Sequence, residues 1–114
     1  MQLLIVVLNK TERLETLLRE LGEAGYTGAT ILDSRGMAHS LDGYGEYQFM
    51  ASLRMFLDPD RRESKTIFMV LRDEAVPEVA KIVNRVTGGL NQPDTGVLFT
   101  VPVQYTEGLD PSCS

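Results

Sequence analysis

Few side chains in this chain of 114 residues can do covalent or metal chemistry. His39 is the only histidine, so one chain cannot bring two imidazoles to a metal. Ser34, Ser40 and Asp42 lie near it, but none sits in the strand-turn-helix pattern that presents a nucleophile. His39 therefore reads as a loop histidine or a ligand contact rather than a general base. Cys113, the only cysteine, is next to the last residue. It cannot form an internal disulfide, and it fits a reducing compartment and a frayed end. What remains is glycine. Arg35-Gly36-Met37, Thr87-Gly88-Gly89 and Asp94-Thr95-Gly96 form three clusters. Glycine lets backbone amides come close to an anion, and it also serves ordinary turns. Both readings stand. The inventory suits a binding protein better than an enzyme.

These clusters need elements to hold them. The apolar run from Leu3 to Leu8 predicts a first strand over 2–8. Leu14, Leu17, Leu18 and Leu21 share one helical face, so a helix is expected over 10–24. Asn9 and Glu12 have the spacing of a capping box, and Gly22 and Gly25 supply stop signals. Its carboxylates Glu12, Glu15, Glu20 and Glu23 solvate the outer face. Ala29 to Ser34 reads as a second strand and residues 65–72 as a third. Asp73 is the expected N-cap of a second helix, with Pro77 in its first turn and Gly88-Gly89 at its end. Val76, Val79, Ala80, Val83 and Val86 form its apolar face, and a last strand follows over 97–104.

The resulting order is βαβ, an insertion over 37–64, then βαβ again. It predicts an α+β, ferredoxin-like βαββαβ sandwich in a single domain over 1–114. A tail occupies 105–114. The most apolar strands, 1 and 3, belong in the centre, and Pro102 sends strand 4 to an edge, giving the antiparallel order 4-1-3-2. Within the insertion, Phe49, Met50, Leu53, Phe56 and Leu57 suggest a short amphipathic helix at about 46–57. Such a segment either caps the domain or docks to a partner.

Strand alternation raises a further requirement. Leu3, Ile5 and Val7 point one way, and Leu4, Val6 and Leu8 the other. Ile67, Met69 and Leu71 oppose Phe68 and Val70 in the same manner. Both sheet faces are thus apolar, while two helices on one face cover only that face. An open four-stranded apolar face exceeds the few hundred Å² that monomers expose. Another subunit or the insertion must cover it, and homo-oligomerisation is the preferred answer. Val6 is expected on the uncovered face.

The composition is 43% hydrophobic and 24% charged, which is ordinary for a globular domain. A net charge of −5 without a basic stripe disfavours nucleic acid. The run from Leu3 to Leu8 is too short to span a membrane and lacks signal-peptide flanks, so a cytoplasmic protein is expected.

Three stretches carry a resemblance. Residues Leu21 to Ile31 are similar to the end of helix 1 and start of strand 2 in the PII signalling family, the trimeric nitrogen-regulatory proteins. Ser34-Arg35-Gly36-Met37-Ala38 resembles that family's lysine/arginine-Gly-Phe-Gly segment. Thr87-Gly88-Gly89 with Asp94 to Val101 resembles its Thr-Gly, Gly-Asp-Gly-Lys and following strand. The resemblance implies a homotrimer with its sheets facing inward. It implies a non-catalytic regulator that controls a transporter or enzyme through the loop over 37–64, where Tyr44, Tyr47 and Phe49 would face the partner. It also implies a nucleotide cleft between subunits, matched here by Thr30, Gly36, Met37, Ala38, Thr87, Gly88, Asp94, Thr95 and Gly96. A ferredoxin-like metal-tolerance or small-molecule enzyme trimer is the alternative, along with a scaffold whose cleft is empty. The sequence offers no cysteine or histidine ligand set for metal.

The departures concern charge. Val97 replaces the family's lysine, and Gln104-Tyr105-Thr106-Glu107-Gly108 replaces a stretch with two arginines. Ala38 stands for the second glycine of the Gly-Phe-Gly turn, and His39 and Ser40 for the arginine and glutamine after it. Each lost charge-assisted phosphate contact costs about 1.5–3 kcal/mol. AMP, ADP or a small anion therefore suits this chain better than ATP. Calorimetric titration with ATP should give no low-micromolar binding; such binding would mean that other cations replace the missing three.

Overall fold

The computed structural model describes residues 1–36 and 63–109. The strands are β1 (Gln2–Leu8), β2 (Thr30–Arg35), β3 (Glu63–Leu71) and β4 (Gly96–Pro102). The helices are α1 (Leu14–Glu23), between β1 and β2, and α2 (Val76–Thr87), between β3 and β4. All pairings are antiparallel, and the sheet order is β2-β3-β1-β4. Read from the β4 edge, this is 4-1-3-2. The arrangement is α+β and consistent with a ferredoxin-like sandwich. Pro102 lies in edge strand β4, opposite Gln2, where its missing amide costs no ladder bond on the open side.

The core lies between the sheet and the two helices. Leu4, Val6 and Leu8 of β1 and Ile67, Met69 and Leu71 of β3 are buried against Leu17 and Leu21 of α1 and Val79, Ile82, Val83 and Val86 of α2. Val6 is 1% exposed. It faces the helices, contrary to the expectation that it lies on the uncovered face. Period-two alternation separates two sets of side chains but does not say which set the helices cover.

Both helices begin differently from expectation. A 3-10 turn, Thr11–Arg13, precedes α1, and another, Asp73–Ala75, precedes α2. Neither helix start carries a side-chain cap. The tight turns supply the entry geometry that Asn9 and Asp73 were expected to give. Asp73 instead receives the Met1 ammonium at 3.0 Å. That hydrogen bond, with a second from Gln2, holds its carboxyl below the usual range. At the other end of α2 the expectation holds. Gly88 adopts φ 86°, the left-handed conformation that ends a helix without a Cβ penalty.

Two contacts tie α2 to α1 and to the turn that follows α1. Arg85 pairs with Glu20 at 2.5 Å. The Tyr26 hydroxyl donates to Glu78 at 2.6 Å. This hydrogen bond, then burial and the Glu78 charge, pushes the Tyr26 phenol up to about 12. Strand β2 pairs with β3 through Ser34↔Ser64, Asp33↔Lys65 and Arg35↔Glu63. Lys65 donates to Asp33 at 2.6 Å. The Ser34 hydroxyl bridges Ser64 and Thr66 at 2.7 and 2.8 Å.

The opposite face of the sheet has no helix among the described residues. Leu3, Ile5 and Val7 lie there with Phe68, Val70 and Thr66, their partners in β3, and with Val97, Phe99 and Val101 of β4. Val97, Phe99 and Val101 are exposed, as is Leu32 of β2. Because Val6 belongs to the core, Val6→Asp should unfold the domain, costing at least about 3 kcal/mol. Urea titration followed by circular dichroism would measure this, and a folded variant of near-native stability would contradict the assignment of faces.

Candidate functional site

Of the residues expected to hold a ligand, Gly36 and the 87–96 set fall at one end of the sheet, while Thr30 starts β2 opposite Phe68, in mid-sheet. Leu8 at the end of β1 pairs with both Lys65 and Gly96, and Lys65 pairs with Asp33 near the end of β2. Gly36 follows β2 at this end, and Gly96 begins β4 there. Within one chain, however, the two sets occupy opposite edges. Strands β1 and β3 separate β2 from β4. Three inter-strand spacings make that separation roughly 14 Å. Thr30 and Gly36 therefore stand apart from Thr87, Gly88, Asp94, Thr95 and Gly96.

The β4 side is closely built. Asn9 and Lys10 donate their backbone amides to the Thr95 carbonyl at 3.0 and 3.4 Å. The Lys10 ammonium donates to the Thr87 carbonyl at 3.2 Å. The end of β1 thus ties the last residue of α2 to the residue before β4. Gly96 is required at its position. It has φ 151°, and a Cβ there would meet the Val7 carbonyl oxygen at 2.5 Å. Asp94 has φ 57°, a left-handed turn position that aspartate tolerates.

The two threonines of this loop are used internally. Thr87 is 2% and Thr95 1% exposed. Thr87 donates its hydroxyl to the Val83 carbonyl at 2.8 Å, and Thr95 donates to the Pro93 carbonyl at 3.3 Å. Several loop amides are also spent. Gly89 donates to the Thr87 hydroxyl, Leu90 to the Asn84 side chain and Gln92 to the Gly89 carbonyl. Turn chemistry thus accounts for much of the glycine cluster at 87–89. Gly88 itself is exposed.

The β2 side is more open. Thr30 is exposed opposite Phe68, and Gly36 is exposed just after Arg35. A depression of about 210 Å³ lies here, lined by Asp33, Ser34, Arg35 and Glu63. Met37, Ala38, His39, Tyr44, Tyr47 and Phe49 lie outside the described residues, as does the short helix expected at about 46–57. Among the described residues there is no cluster of three or more histidine, cysteine or acidic side chains able to hold a metal. No described helix is long and apolar enough to cross a membrane.

Lys10 carries no motif in the sequence. Its place becomes meaningful only through the β1–β4 register, which sets the residues after Leu8 beside Thr95.

No protein-family model matches this chain, and no curated protein matches it. The residues therefore carry the functional argument. Gly96→Ala should weaken the junction between β1 and β4, because the new methyl group meets main chain rather than a flexible side chain. A loss of about 1–3 kcal/mol is expected by denaturant titration. An unchanged midpoint would show that the close approach to Val7 is not a constraint.

Proposed function

We propose that this chain is a non-catalytic, PII-like regulatory protein. It assembles as a homotrimer through its uncovered sheet face and binds a small effector in the clefts between subunits. The effector is a nucleotide of low charge, AMP or ADP, or a small anion. The stretch over 37–64 then acts on a partner, a transporter or an enzyme, in a nitrogen-regulatory or similar signalling role.

The sheet face with no helix on it among the described residues carries this reading. Its side chains on β1 are Leu3, Ile5 and Val7, and those on β4 are Val97, Phe99 and Val101, with no charge among them. A surface of this kind gains most from burial against another apolar surface. The split of the candidate ligand residues supports it as well. Thr30 and Gly36 lie at one sheet edge, and Thr87, Gly88 and Gly96 at the other. One ligand touching both sets needs two copies of the chain.

Light scattering coupled to size exclusion tests the assembly at micromolar concentration. The expected mass is three chains, and a monomer mass would sink the proposal. Ile5→Asp puts a charge in the middle of the uncovered face while leaving the helix-covered core intact. It should give a monomer with unchanged helical circular dichroism. A variant that remains trimeric would place the interface elsewhere.

A further inference from the structure

The end of the sheet where β2 meets the start of β3 is built unlike the rest of it. Strand β1 pairs with β3 only as far as Lys65, opposite Leu8. Glu63 and Ser64 pair with β2 alone, as Arg35↔Glu63 and Ser34↔Ser64. Among the described residues this end is a two-stranded ribbon, an arrangement with little stability of its own. In a hairpin the turn fixes the register of the two strands. Here no tight turn joins them, because the connection runs over 37–62. The register has to come from the strands themselves.

Both faces of the ribbon specify it. On one face the Ser34 hydroxyl lies 2.7 Å from that of Ser64 and 2.8 Å from that of Thr66. Hydroxyl bonds are directional. A one-residue slip turns Ser34 to the opposite face, away from both partners. On the other face Asp33 stands opposite Lys65 and Arg35 opposite Glu63. The Lys65 ammonium donates to Asp33 at 2.6 Å. Sliding β2 two residues one way sets Asp33 opposite Glu63. Sliding it two residues the other way sets Arg35 opposite Lys65. Each slip puts like charges directly opposite, which destabilises a strand pair. Of the three registers, only the observed one matches each charge with its opposite. Asp33 is largely exposed, and an exposed ion pair adds little to global stability. What these charges distinguish is one pairing from another.

We propose that the hydroxyl cluster around Ser34 and the opposed charges of Asp33, Lys65, Arg35 and Glu63 form a register lock. It fixes the place at which the chain leaves β2 and rejoins β3. These are positioning residues, and their role is independent of assembly and of any effector.

Nuclear magnetic resonance of the full chain reads the register from cross-strand contacts, and hydrogen exchange reads how firmly each pair is held. Three variants are compared with wild type: Ser34→Ala, Asp33→Lys, and Asp33→Lys combined with Lys65→Asp. Ser34→Ala loses both hydroxyl bonds. Its ribbon amides should exchange about tenfold faster, while those of the β1–β3 ladder keep the wild-type rate. Asp33→Lys places like charges opposite in the observed register and unlike charges opposite when position 33 meets position 63. It should lose the contacts between positions 34 and 64, and adding Lys65→Asp should bring them back. Wild-type contacts and exchange rates in either single variant overturn the lock. So does a double variant no better paired than Asp33→Lys. Faster exchange throughout the sheet, rather than at the ribbon, overturns it as well, because these residues would then support the fold at large instead of the register.

Discussion

The constraint on which this structure depends is that its two central strands are apolar on both faces. Strands β1 and β3 bury Leu4, Val6, Leu8, Ile67, Met69 and Leu71 under the helices. The intervening residues Leu3, Ile5, Val7, Phe68 and Val70 turn the other way. A strand has no neutral side, so an alternation that feeds one core necessarily decorates a second surface. In a sheet with one polar face that surface would be finished. Among the described residues it is not, and the polar residues that do occur on it are gathered toward β2. Ser34 bonds to Ser64 and Thr66 within the same face, so these hydroxyls satisfy one another.

The second organising fact is the meeting of three chain segments at the end of β1. Gly96 lets β4 come against Val7, and Thr95 receives two amides from the turn after β1. Lys10 then reaches the end of α2. Glycine is needed at 96 for clearance, whereas at 88 it is needed for its backbone conformation. The two positions look alike in sequence and answer to different physics. The loop between them is held by its own hydrogen bonds, which makes it a firm platform rather than an open cradle of amides.

Much of this was legible in the residues. The apolar run of β1, the Leu17–Leu21 face and the Gly88 stop each rest on a strong local signal. The sheet order followed from Pro102 and from the apolarity of β1 and β3. Three things were not legible. Asn9 and Asp73 have good N-cap chemistry, but the chain enters both helices through 3-10 turns, and Asp73 finds the Met1 ammonium instead. The placement of Val6 in the core depends on which face the helices cover, a tertiary choice that alternation leaves open. Lys10 gains its meaning from a register between strands far apart in sequence. In the candidate site, Thr87 and Thr95 both meet the segment after β1, and their inward turn depends on packing that no motif encodes.

The pairing of β1 has a consequence for how the chain acquires its structure. Of the four strands β1 is made first, yet its neighbours are β3 and β4. Gln2 meets Leu71 on one side and Pro102 on the other, and Val103 donates to the Met1 carbonyl. The most apolar ribbon of the protein therefore leaves the ribosome long before either partner exists. Local structure near it, α1 above all, can form early, but the sheet closes only when β4 arrives. Distant pairing of this kind slows folding and prolongs the exposure of sticky intermediates. A nascent chain halted after β3 would hold β1 by one edge only, with its other edge free to recruit a strand from another molecule.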